Sequence, residues 1–78
     1  MICIATFYSH FGAIRFKREC DRLGFPAKVM PVPRNLSSSC GTCVQYEGCC
    51  PEDPPQEIEQ IVECVGGGYS LLYRAADA

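Results

Sequence analysis

Four of the seven cysteines in this 78-residue chain lie in or next to a stretch of Gly, Ser and Pro, where thiols are more often available for chemistry than in a periodic segment. Cys40, Cys49 and Cys50 are directly beside such a residue, and Cys43 is two positions after Gly41. Cys40 and Cys43 form a CxxC, and Cys49 and Cys50 are adjacent, so the whole reads C-x2-C-x5-C-C. Three chemistries fit these residue types. A CxxC can cycle between dithiol and disulfide, provided its first cysteine opens a helix whose amides stabilise the thiolate. Four thiolates can hold zinc or an iron–sulfur cluster, provided all four sulfurs reach one centre at about 2.3 Å. A single thiol in an anion-friendly loop can carry a sulfur or selenium atom. The serines before Cys40 suit the third, because Ser37, Ser38, Ser39 and Gly41 can turn amides and hydroxyls toward one point, although the same residues suit an ordinary polar turn with an exposed Arg34 equally well. Arg34 and a helix start at Ser9 and His10 would add positive charge. In that arrangement Cys40 is the acceptor, Cys43 its resolving partner, and Cys49 and Cys50 are reserve thiols.

The elements that must position these residues can be read from periodicity. Ile2 to Tyr8 is apolar and partly β-branched, a central strand. Ser9 caps a helix ending at Gly24, with Ala13, Phe16, Cys20 and Leu23 at helical spacing and Phe11 and Ile14 widening the stripe. Phe25 to Val32 reads as a second strand, and Thr42 to Glu47 alternates as a third. Acidic residues and prolines over Pro51 to Pro55 suit a helix start, and Ile58, Ile61, Val62 and Val65 follow at i, i+3, i+4 and i+7. Gly66-Gly67-Gly68 would stop that helix before a last strand, Tyr69 to Arg74. The order β-α-β-β-α-β predicts a ferredoxin-like α+β domain over residues 1–78, with a four-stranded antiparallel sheet and two helices on one face. Cys3, Cys20 and Cys64, inside periodic segments, are expected to be small buried hydrophobes.

That topology brings Tyr8, Ser9, His10, Arg34 and the serine loop to one sheet edge. Cys49 and Cys50 fall at the other, about 20 Å away at roughly 3.3 Å per strand residue. A single metal site from Cys40, Cys43, Cys49 and Cys50 is then out of reach, and no metal or cofactor is expected. An extended strand after Gly41 also separates the CxxC sulfurs. On the first strand, Cys3, Ala5 and Phe7 would form an open face that a second copy of the chain could cover.

Composition narrows the partners. A net charge of −2 gives no basic face for nucleic acid, and no apolar run approaches the roughly 20 residues of a membrane span. MICIATFYSH has neither the basic start nor the cleavage site of an export signal, so a cytoplasmic chain is expected, and an odd cysteine count argues against a disulfide framework.

The strand followed by FYSHFGAIRFKRECDRLG and AKVMPVPRNLSSSCG resembles a small bacterial family, the selenium/sulfur carrier protein-like family. That family combines an N-terminal strand, a Ser/Thr-His helix start, a PVPR segment and an SSSCG-like loop, followed by a strand and a second helix. The resemblance implies a carrier or accessory protein rather than an autonomous enzyme. Its partners would be a protein donor and a protein acceptor of sulfur or selenium. Residue by residue it points to Arg34, Ser38, Ser39, Cys40 and Gly41, with His10 nearby. Cys43, Cys49 and Cys50 are additions to the family picture and keep two alternatives open: a metal or iron–sulfur module, and a purely structural interaction domain. Cys50-Pro51-Glu52-Asp53-Pro54 is also similar, with one residue more, to the Cys-Pro-x-Pro start of sulfur-relay carriers.

Overall fold

In a computed structural model, which describes residues 1–76, the chain forms β1 (Ile2–Phe7), α1 (His10–Leu23), β2 (Ala27–Pro31), β3 (Thr42–Glu47), β4 (Ile58–Val65) and β5 (Gly68–Arg74). The five strands make one sheet in the order β2-β3-β1-β4-β5, every pair antiparallel. This is a small α+β fold with a single helix. The ferredoxin-like arrangement with four strands and two helices is overturned, because the segment expected to be the second helix is β4.

The start of the chain folds as its periodicity dictates. Ser9, extended at φ −141°, caps α1 by accepting the Gly12 amide at 3.3 Å. Gly24, left-handed at φ +81°, ends it, and the Phe25 amide returns to the Cys20 carbonyl at 2.8 Å. The helix buries Gly12, Ala13, Phe16 and Cys20 against the sheet, a narrower stripe than expected. Phe11 is 77% exposed, and Leu23 and Ile14 also remain in solvent. Phe16 packs edge-on to Tyr46 of β3 and tilted to Phe7 of β1, with ring centroids 5.1 and 5.6 Å away. Such pairs add about 0.5–1.5 kcal/mol each beyond the area they bury. Cys3, Ala5 and Phe7 belong to this helix-side core and are fully buried, so they offer no open face to a second copy.

The apolar residues of β4 explain why helical spacing misleads there. Ile58 pairs with Phe7 and Gln60 with Thr6, leaving Glu59 as an extra residue in a bulge. The extra residue brings Ile58 and Ile61, three apart, onto the same helix-facing side. Val62 points the other way, into a second cluster with Ile4 and Cys43. Ile58, Ile61, Val62 and Val65 are all β-branched, which favours the pleated state. The glycines confirm it: Gly66 (φ +51°) and Gly67 (φ +82°) form the two-residue turn of a β4–β5 hairpin that Val65 and Gly68 close.

Between β3 and β4, residues 48–57 form a strap across the helix side. It comes close at Gly12, where a Cβ would stand 2.8 Å from Glu57 Cβ, so the helix needs glycine there. On the opposite side, Val32 and Leu36 of the β2–β3 loop cover the second cluster. Among the described residues no helix is long and apolar enough to cross a membrane.

Candidate functional site

Three elements meet beside Cys40. The end of β1 leads into the cap of α1, and the first helical residue, His10, reaches β3, where its Nδ1 shares a hydrogen bond with Thr42 Oγ1 at 3.2 Å. Thr42 lies inside the CxxC, and its carbonyl accepts the Cys40 thiol at 3.5 Å. Gly41, left-handed at φ +74°, makes the turn from the loop into β3. Its carbonyl accepts the Val32 amide at 3.1 Å, closing the loop at its base. Cys40 is half-buried against the helix-side core, with part of its surface in solvent.

The serines have other partners than the thiol. The Ser39 amide donates to Glu59 Oε1 at 3.1 Å and its hydroxyl to Glu59 Oε2 at 2.6 Å. Thr6, fully buried, donates its hydroxyl to the same Oε1 at 3.3 Å. Gln60 Nε2 donates to the Ser37 carbonyl at 2.9 Å. The Ser38 hydroxyl is buried without a hydrogen-bond partner. The anion that the loop's amide and hydroxyl hold is therefore the chain's own carboxylate, on the side of the sheet away from α1. Arg34 is exposed in the same loop and takes no part in the ion pairs among the described residues.

Cys43 is separated from Cys40 by burial and by side. It is fully buried in the cluster with Ile4 and Val62, and its thiol donates to the Pro31 carbonyl at 3.7 Å. Burial, with Cys40 nearby, pushes the Cys43 thiol up to about 11. A resolving thiol has to reach its partner, and Cys43 would have to leave its cluster to do so.

Cys49 and Cys50 lie past the other end of β3, as the strand after Gly41 predicts. Cys49 is exposed, and its carbonyl accepts the Tyr46 hydroxyl at 3.2 Å. Cys50 packs against the helix-side core, and burial and the neighbouring Cys49 raise its thiol pKa. It sits in irregular strap rather than at a helix N-terminus, so the comparison with a Cys-Pro-x-Pro helix start loses its structural basis. Burial likewise raises Cys3 and Cys20, which are buried as expected, whereas Cys64 is only partly so. At this end the strap and α1 enclose a cavity of about 490 Å³, lined by Phe16, Cys20, Tyr46 and Cys49 among others. Neither Cys40 nor His10 lines it. Among the described residues no group of His, Cys, Asp and Glu is gathered to hold a metal ion.

Sequence reasoning placed His10, Cys40 and the serines at one edge, and the structure brings them there. It missed Glu59 and Gln60, which a helical reading puts on a solvated face, and it gave Thr6 and Thr42 no role. The signal that could have found Glu59 was the Gly66-Gly67 hairpin turn, which makes the preceding residues a strand.

This constellation sits in a chain matched over residues 2–74 by the family described as "Putative Se/S carrier protein-like". The chain belongs to that family. No curated protein and no solved structure gives a match to it.

Proposed function

We propose that the protein carries sulfur or selenium between partner proteins, with Cys40 as the accepting thiol. The observation that carries this reading is a part-exposed cysteine, joined through Thr42 to His10, in the SSSCG loop of a chain from a family named for such carriage. Burial argues against the other thiol of the pair, since a neutral Cys43 is a poor nucleophile.

The transfer is a thiol exchange that conserves electrons. The Cys40 thiolate attacks the outer sulfur of a donor persulfide, R–S–SH. The bond between the two donor sulfurs breaks, R–S⁻ leaves, and Cys40 becomes Cys–S–SH. An acceptor thiolate then takes the outer sulfur and releases the Cys40 thiolate. Selenium in the outer position follows the same course. Thr42 accepts the hydrogen bond of the resting thiol, and His10 fixes Thr42 from the helix.

Incubation with glutathione persulfide under anaerobic conditions, followed by peptide mass mapping, tests this. A labile gain of one sulfur atom is expected on the peptide holding Cys40 and lost in Cys40→Ser. No gain there, or an equal gain on Cys49, would overturn the reading.

A further inference from the structure

We infer that Glu59 is the positioning residue for Cys40: its carboxylate clamps Ser39 and so sets where the next residue presents its thiol. This deepens the carrier reading and rests on it for its functional meaning, but the geometry stands independently.

Glu59 is the residue that the β1–β4 register skips, and a bulge is a means of aiming a side chain that regular pleating would send elsewhere. Here it aims a carboxylate at the loop. Both oxygens are used on Ser39, one on the amide and one on the hydroxyl, a two-point grip that fixes orientation as well as position. The buried Thr6 hydroxyl holds the carboxylate from within the sheet, and the neighbouring Gln60 ties the Ser37 carbonyl. No cation shares the carboxylate, since the ion pairs among the described residues lie elsewhere. Its bonding is spent on the loop and on Thr6.

The consequence appears one residue further on. Thr6, under the clamp, faces away from α1, because its neighbours Ala5 and Phe7 belong to the helix-side core. Cys40 packs against that helix-side core and bonds to Thr42. The chain thus crosses from the side of the sheet away from α1 to the helix side between Ser39 and Cys40. Holding Ser39 fixes the point of crossing, and Gly41 completes it with a left-handed turn. Without the clamp, the thiol is free to leave the Thr42 carbonyl.

Glu59→Ala and the conservative Glu59→Gln test this through iodoacetamide alkylation of each cysteine, read by peptide mass, in the folded protein. Cys49, at the far end of β3, is the internal control. In Glu59→Ala the Cys40 rate should change at least about threefold while the Cys49 rate stays within error. Exchange of the Ser39 amide should quicken by an order of magnitude. Glu59→Gln, which keeps one acceptor, should fall between. If Glu59→Ala does not fold, the same contrast is read in Glu59→Gln alone. Unchanged Cys40 reactivity, or Cys40 and Cys49 changing together, would overturn the inference, the latter by showing a general loosening. Alkylation needs no sulfur transfer. Failure of the wild-type protein to take sulfur would therefore remove the carrier reading and leave the clamp standing.

Discussion

Cys40 and Cys43 are chemically unlike although only three residues apart. Cys40 keeps part of its surface in solvent, whereas Cys43 is sealed among Ile4, Val62 and the loop, where an ionised sulfur would be poorly solvated. The sign of the resulting pH effect is fixed. A thiol raised from about 9 to about 11 in the folded state keeps its proton where the unfolded chain has lost it. Its stabilising contribution is whole below about pH 9 and declines as pH rises through about 11, by about 2–3 kcal/mol in total. Cys3, Cys20 and Cys50, raised by burial too, act in the same direction. Urea midpoints between pH 8 and 10.5 should therefore fall, and less so in Cys43→Ala once its own lower baseline is subtracted. Identical slopes in the two proteins would show that Cys43 stays exposed to titration when folded. The prominence of Cys40 could be read from its serine-rich, glycine-flanked setting. The destination of the serine donors could not, because their acceptor lies in another strand, 20 residues away.

At the scale of elements, the hairpin of β4 and β5 shows what a local pattern can and cannot say. Ile58, Ile61, Val62 and Val65 satisfy a helix on spacing alone, yet their β-branched side chains and the following Gly-Gly favour a strand and a tight turn. Once Glu59 bulges out, the spacing fits a strand equally well. Periodicity cannot separate the two, because a bulge is invisible until the partner strand is known. The first helix raised no such conflict: Ser9 caps it, Gly24 ends it, and its buried residues repeat at helical intervals. The turn gives a direct check. Gly67 has φ +82°, where a β-branched side chain is strained, and nothing lies within 4 Å of a Cβ built there. Gly67→Val should thus cost about 1–2 kcal/mol from backbone alone. A lower urea midpoint with unchanged slope is the expected signature. An unchanged midpoint would mean that the hairpin does not need its left-handed turn.

For the molecule as a whole, β3 acts as a spacer that sorts the thiols into two sets. Cys40 and Cys43 lie at its start, and Cys49 and Cys50 follow its end, where the Cys3 thiol donates to the Gly48 carbonyl and Cys20 lines a cavity with Cys49 and Tyr46; Cys64, on β4, belongs to neither set. From Cys43 the four remaining residues of β3, at about 3.3 Å each, put the strand's far end roughly 13 Å away, and Cys40, before the strand, lies further still. A disulfide needs Cα atoms within roughly 4.4–6.8 Å. Oxidation of the folded protein with diamide, followed by peptide mapping, should therefore yield no bridge from Cys40 or Cys43 to Cys49 or Cys50. Any bridge at the strap end should join members of the set around Tyr46, and the same treatment in urea should scramble all seven thiols. The separation also bears on carriage. On the proposed carrier reading, a sulfur placed on Cys40 would be kept from local exchange with Cys49, the exposed thiol, and would stay at the edge for a partner to take. Cross-bridges at appreciable yield in the native protein would show that β3 opens on the timescale of oxidation. Cys49 would then compete for the cargo, and its removal by Cys49→Ser would raise the sulfur retained on Cys40.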